Sequence, residues 1–395
     1  MLKKSMPAKA GKGGKMLNHK TIKTILTITA VCLISLARAG EKEGSKIELI
    51  PVYEKTFDDT IVDVIFDTAT VSIEEAKKIG WKEEAFTKEK VFAAEEVEKL
   101  KRKVKISYPK VIITGEKGYP SKQKIKFLDK NGNIKKVILN DKTSRIIVST
   151  NGKYILKALL YNCDTDSGGG AVLYDNDGNF ICEKSKGAFY AVTDNGYIGT
   201  GFVSPEGSWY PFIIYGPSKN KVKEITLPEW GIFDAGIQAN GKYFIITYRG
   251  KAGFDSTGVL VLKEKGEVVF QKILPGSIIP KDVLPLSDTE FIVISMAGEG
   301  VETEHRIIYI ALRNNNWVIE QKHTPDFLGF PLFTQISSKP YIYSVDRGYI
   351  IELNTQPFKI VLIEKLPSDL KFFKEKFYQI KENRIECFNL QEVLK

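Results

Sequence analysis

Histidine is scarce in this chain of 395 residues: three occur, and only His305 and His323 lie beyond residue 39. No serine or cysteine sits in a nucleophile-elbow context either, so a histidine-based catalytic triad is excluded as a reading of the sequence. Cysteine is nearly as sparse. Beyond residue 39 there are Cys163, Cys182 and Cys387, an odd set without close spacing and therefore no disulfide framework. The plainer reading is of small buried apolar residues, with stability drawn from a core; Cys163 and Cys182 could pair only if their strands approached. Residues 24–36 form an apolar run of 13, short of the roughly 17–25 residues that a membrane helix needs.

A surplus of one charge is also missing once the charge is located. The formal net charge is +10, but residues 1–39 hold eight basic side chains and no acidic one. Without them, 50 basic side chains face 48 acidic ones, so no clustered basic surface of the kind a nucleic acid requires is expected. The basic stretch, the apolar run and the small-residue pattern Ala37-Arg38-Ala39 together read as a secretory signal peptide, with cleavage before Gly40 and a mature chain that is periplasmic or secreted. No membrane span is expected after cleavage. Met16 is a candidate start, because the region before it is unusually long for a leader.

What the sequence has in quantity is a repeat. Alternating strands flank a tight polar turn in residues 145–157 (Asn151-Gly152), 190–202 (Asn195-Gly196) and 235–248 (Asn240-Gly241). Asn-Gly between alternating apolar residues is the strongest short hairpin signal, since both turn residues need positive φ. Weaker copies follow at 283–295, 333–345 and 377–389, so the turns recur about every 45 residues. A second hairpin completes each unit: 171–183, 211–227, 258–274, 306–322 and 348–366, with a further copy at 124–139 ahead of the first half-unit.

Through this period, four strands per unit and complementary ends, residues 121–395 resemble the β-propeller superfamily. The resemblance is architectural, without a Trp-Asp blade ending or a kelch double glycine. It implies an all-β, six-bladed propeller closed by pairing the hairpin 124–139 with the hairpin 377–389, which removes an open sheet edge. Residues 40–120 read as a small N-terminal α/β segment. Strands are expected at 49–53 and 60–66, then a helix with Ser72 and Glu75 as capping box and Gly80 as stop, a second helix over 89–103, and a strand over 105–114. If 60–66 and 110–114 are instead the inner pair of a blade with a helical insertion, the ring has seven blades.

In a propeller, links within hairpins emerge on one face and links between hairpins and blades on the other. The second kind is longer here, and binding residues concentrate on loops held by a rigid scaffold. The candidate binding residues on that face are Asp164, Asp166, Trp209, Trp230, Arg249, Asp255, Glu299, Glu302, His305, Asp346 and Arg347. No catalytic residue and no metal ligand is assigned. Asp164 and Asp166 before three glycines could hold Ca²⁺, though a flexible loop is the plainer reading. The stretches 129–133 and 175–179 imitate the start of a calcium loop but lack the later Glu, and turn chemistry accounts for them.

These residues favour binding over catalysis: an exported, non-enzymatic, monomeric propeller that presents its long-link face to a protein or glycan partner, with no cofactor and no nucleic acid. The alternative is a metal-dependent, lactonase-like hydrolase with loop carboxylates at the central channel.

Overall fold

The computed structural model describes residues 51–82, 103–117, 119, 122–140, 144–162, 167–185, 189–201, 211–218, 220–226, 235–249, 256–275, 278–297, 304–323, 331–336, 339–344, 349–365, 370–373 and 376–388, some strand positions by backbone alone. Strand β1 (Tyr53–Thr56) comes first. Blade 1 is β2 (Ile61–Ser72), β3 (Lys103–Thr114), β4 (Lys124–Leu128) and β5 (Ile134–Leu139), with helix α1 (Ile73–Ile79) between its first two strands. Blade 2 is β6 (Ser144–Val148), β7 (Tyr154–Asn162), β8 (Ser167–Asp175) and β9 (Phe180–Ser185). Blade 3 is β10 (Phe189–Val192), β11 (Ile198–Gly201), β12 (Phe212–Tyr215) and β13 (Lys221–Ile225). Blade 4 is β14 (Ala235–Asn240), β15 (Tyr243–Arg249), β16 (Ser256–Lys263) and β17 (Val268–Pro275). Blade 5 is β18 (Ile278–Ser287), β19 (Glu290–Ala297), β20 (Glu304–Arg313) and β21 (Asn316–His323). Blade 6 is β22 (Pro331–Ile336), β23 (Lys339–Ser344), β24 (Tyr349–Thr355) and β25 (Phe358–Lys365). Blade 7 is β26 (Leu370–Phe373), β27 (Lys376–Lys381), β28 (Arg384–Phe388) and, paired to β28, the early strand β1.

The protein is thus an all-β propeller of seven blades, and the expectation of six is corrected. Two features hid the seventh. The inner pair of blade 1 is split by 73–102, which breaks the repeat, and β26 is four residues long with no Gly or Asn turn after it. The expected pairing of 124–139 with 377–389 is also replaced. Residues 124–139 are the outer half of blade 1, and it is β1 that meets β28, Tyr53 opposite Cys387 and Thr56 opposite Arg384.

A strand of four residues gains little from one ladder, so its other side matters. The expected capping box forms, with Ser72 accepting from the Glu75 N–H at 3.1 Å and Glu75 accepting from the Ser72 N–H at 3.1 Å, and the helix stops at Gly80. The chain then turns onto β1. Glu54 N–H donates to the Gly80 carbonyl at 3.1 Å, Lys82 N–H to the Val52 carbonyl at 2.9 Å, and Trp81 packs on Tyr53 with ring centroids 5.6 Å apart. A Cβ at position 80 would sit 2.4 Å from the Glu54 carbonyl oxygen, so only glycine fits this approach. The excursion from blade 1 therefore covers the edge of blade 7, which would otherwise be open to pairing. The second expected helix lies outside the described residues except for Lys103, which begins β3.

Middle strands read as apolar runs because both their faces are buried. In β15, Phe244 and Ile246 pack against Phe212 and Ile214 of blade 3, while Tyr243 and Ile245 pack against Val283 and Phe291 of blade 5. Alternation sends neighbours to opposite faces, and here each face meets a blade. Equivalent clusters join blades 1 and 2, 2 and 3, and 5 and 6, and Phe66 of blade 1 meets Tyr378 of blade 7 at 5.0 Å. Of the cysteines, Cys182 and Cys387 are buried, as expected of small apolar residues, and Cys163 lies outside the described residues.

Candidate functional site

The two faces differ in how they are built. At the short-turn face, the first hairpin turns of blades 2, 3 and 4 are fastened together. Asn151 N–H donates to Asp194 Oδ1 at 2.6 Å, the Asn151 side-chain amide donates to the Asp194 carbonyl at 3.0 Å, and Asp194 N–H donates to the Gly241 carbonyl at 2.8 Å. Gly241 N–H in turn donates to Thr150 Oγ1 at 3.1 Å, joining turns two blades apart. Blade 5 attaches to blade 4 through Asp288, which accepts from Lys263 Nζ at 2.8 Å and from the Tyr243 hydroxyl at 2.5 Å. Turns this interlocked have their polar groups engaged with one another. The turns at 129–133 and 175–179 do the same internally: Asp175 accepts from the N–H groups of Asp177 and Asn179 at 2.9 and 2.8 Å, and Asp129 repeats the pattern.

At the opposite face the links run 163–166, 202–211, 250–255, 298–303 and 345–348 within blades, and 226–234 and 324–330 between them. Of the binding residues read from sequence, Asp164, Asp166, Trp209, Trp230, Asp255, Glu299, Glu302, Asp346 and Arg347 lie outside the described residues. Arg249 and His305 are placed by backbone. Arg249 ends β15 opposite Thr257, and His305 lies near the start of β20 opposite Met296, so both stand at the long-link ends of their strands. His323 ends the outer strand β21.

One part of this face is largely described, and it involves residues that the sequence reading had assigned to the N-terminal segment. The link from β1 to β2 and the link from β3 to β4 enclose an open depression of about 500 Å³ lined by Asp59, Thr60, Glu116, Lys117, Lys122 and Lys124. Gly115 sets its shape. Its N–H donates to the Thr60 carbonyl at 3.0 Å, its φ is +128°, and a Cβ there would lie 2.4 Å from the Lys122 carbonyl oxygen. The turn closes with Tyr119 N–H on the Glu116 carbonyl at 3.2 Å and Lys122 N–H on the Tyr119 carbonyl at 2.9 Å. Glu382 and Asn383, from the β27 to β28 turn, accept from Ile61 and Phe57 N–H groups at 2.7 and 2.8 Å and hold the first link in place.

The charges in this depression do not balance. Lys122 pairs with Glu116 at 2.6 Å and stands 4.8 Å from the ring centroid of Tyr119, itself 54% exposed. Asp59 is paired with Lys126, whose hydrogen bond holds its carboxyl below the usual carboxylate range against the opposing effect of burial. Lys117 and Lys124 make no ion pair among the described residues. The signal that could have found this site was the alternative seven-blade reading, which places 57–60 and 115–123 among the long links.

No family model matches the sequence, and no curated protein matches it. Among solved structures, the chain is similar to hydrazine synthase from Kuenenia stuttgartiensis, at 11% identity over 71% of this chain and 92% of that one, with a TM-score of 0.47. It is similar to apo AztD from Citrobacter koseri, at 14% identity over 72% and 78%, with a TM-score of 0.39. It is also similar to the β-propeller domain of the Trilobed protease from Pyrococcus furiosus, at 10% identity over 62% and 92%, with a TM-score of 0.32. These are likenesses of architecture.

Proposed function

We propose that the chain is an exported binding propeller, not an enzyme, and that it presents the long-link face to a protein or glycan partner. The observation that carries this is the contrast between faces. Hydrogen bonds from Asn151 to Asp194 to Gly241 fasten one end of blades 2, 3 and 4, while the longer links of these three blades leave from the other end. A rigid ring with one fastened face and one face of long links suits recognition, because the scaffold keeps the loops positioned at little entropic cost. Export is inferred from residues 1–39 alone. Among the described residues no three His, Cys, Asp or Glu side chains gather, and the loop carboxylates of the hydrolase alternative lie outside them.

The test compares alanine variants at Trp209, Trp230 and Asp255 with control variants at Lys153 and Lys265 in the short turns of the opposite face. Binding to a glycan array and to captured partners is expected to fall for the first set only. Stoichiometric metal in purified protein, or binding that responds only to the control set, overturns the reading. Fractionation of cells expressing the chain with and without residues 1–39 tests export separately.

A further inference from the structure

We propose that the depression between the β1 to β2 link and the β3 to β4 link is a subsite for an oxyanion carried on a sugar ring, a uronate carboxylate or a sugar phosphate. This rests on the binding-face reading above and names a ligand chemistry for one part of that face.

Charge supports the anion. Each carboxylate that lines the depression has a lysine partner, Asp59 in Lys126 and Glu116 in Lys122; Lys117 makes no ion pair among the described residues, and Lys124 acts on Asp59 only from beyond ion-pair distance, so three lining lysines face two carboxylates that are already paired. A surplus of ammonium groups beside a concave surface attracts an anion, and charge-assisted hydrogen bonds are the stronger kind. The volume of about 500 Å³ lies in the range of small-molecule sites, which favours an anion with a body attached over a bare ion.

Two features support the sugar. Tyr119, in the same turn and beside the lining residue Lys122 but outside the lining itself, is an exposed aromatic whose amphipathic ring offers an apolar surface with a polar tip. Thr60 adds a hydroxyl that both donates and accepts. The walls are held before any ligand arrives, by Gly115 N–H on Thr60, Gln123 Nε2 on the Glu116 carbonyl at 3.2 Å, and the Glu382 and Asn383 carbonyls on the first link. Little ordering is then needed on binding.

The experiment is calorimetric titration of the full mature chain at low salt with glucuronate, glucose 6-phosphate, glucose and inorganic phosphate. The same four probes are applied to Lys117→Gln/Lys124→Gln, to Tyr119→Ala and to the control Lys153→Gln, with circular dichroism melts to verify folding. Glucuronate or glucose 6-phosphate is expected to bind the native chain and Lys153→Gln alike, and about tenfold or more weakly to the double lysine variant. Which of the two binds more tightly distinguishes carboxylate from phosphate. Tyr119→Ala is expected to weaken the sugar anions and leave inorganic phosphate unchanged. Equal binding of neutral glucose, equal binding of inorganic phosphate, no titration by either sugar anion, or affinity unaltered in a folded double variant overturns the proposal. Should that occur while the Trp209 and Trp230 variants still lose their partner, the subsite falls and the binding-face reading stands.

Discussion

Asn151 and Asp194 hold each other by two hydrogen bonds that run between equivalent turns of adjacent blades. The Asn151 N–H meets Asp194 Oδ1 at 2.6 Å, and the Asn151 amide meets the Asp194 carbonyl at 3.0 Å. Each turn thereby completes the other, and this is the physical basis of the rigid short-turn face.

Asp194→Ala leaves the partly buried Asn151 N–H without its carboxylate, and the expected loss of stability is about 1–3 kcal/mol. Asp194→Asn keeps an acceptor oxygen and is expected to lose less. Urea midpoints of the two variants at constant m-value check the order, and a smaller loss for alanine than for asparagine contradicts it.

Gly199 is the second test. A Cβ there would lie 2.5 Å from Phe212 Cζ and 2.8 Å from Phe244 Cε1, inside the contact between blades 3 and 4. Gly199→Ala is expected to cost about 1–3 kcal/mol by overpacking, although alanine has the better strand propensity. Pairing it with Phe244→Leu, which opens space, is expected to return part of that loss, and additive losses in the denaturation cycle count against the explanation.

Closure through β1 makes Tyr53 a structural anchor. It is 1% exposed, packs on Trp81 and lies opposite Cys387, and burial pushes its phenol well above the usual tyrosine range. Tyr53→Ala is expected to cost about 3–5 kcal/mol and to expose the edge of β28, so that aggregation rises with the loss of stability. Light scattering during a thermal ramp reads both, and a variant that melts like the native chain removes β1 from the closure.

Asp288 gives a dependence on pH. Its hydrogen bonds from Lys263 and then Tyr243 lower its carboxyl from the ordinary 3.8 to about 2. A depressed folded value contributes stability that is present above the unfolded value and lost as pH falls through the folded one, so the window runs from about pH 4 down to about pH 2. Asp288 is 42% exposed, and solvent screening limits the effect to at most about 1 kcal/mol. Asp288→Asn is expected to flatten the stability profile in that window and leave its slope near pH 7 unchanged, which denaturation at a series of pH values measures.

The hairpins from β6 to β25 were legible because their signals are local. Asn151-Gly152, Asn195-Gly196 and Asn240-Gly241 name their turns by backbone need, and the paired runs beside them give the strands. The capping box at Ser72 and Glu75 is equally local. Blade 1 was harder, since β2 and β3 are joined by 73–102 and no turn signal links them.

By itself, then, the sequence determined the all-β architecture, the radial repeat and, for blades 2 to 6, the strand ends from which the long links depart, because turn chemistry and alternation act between near neighbours; the hairpin 377–389, expected as the first half of a unit, is instead the second and third strands of blade 7. Tertiary structure alone decided the number of blades, the partner of β28 and the gathering of Lys117, Lys122 and Lys124 around Asp59. The closure depends on contacts between segments more than three hundred residues apart, as with Glu54 and Arg384 at 3.2 Å, and the lysine cluster on links brought together by that closure, where no local preference specifies the partner. Only the packing of whole blades, each burying both faces of its middle strands, selects it.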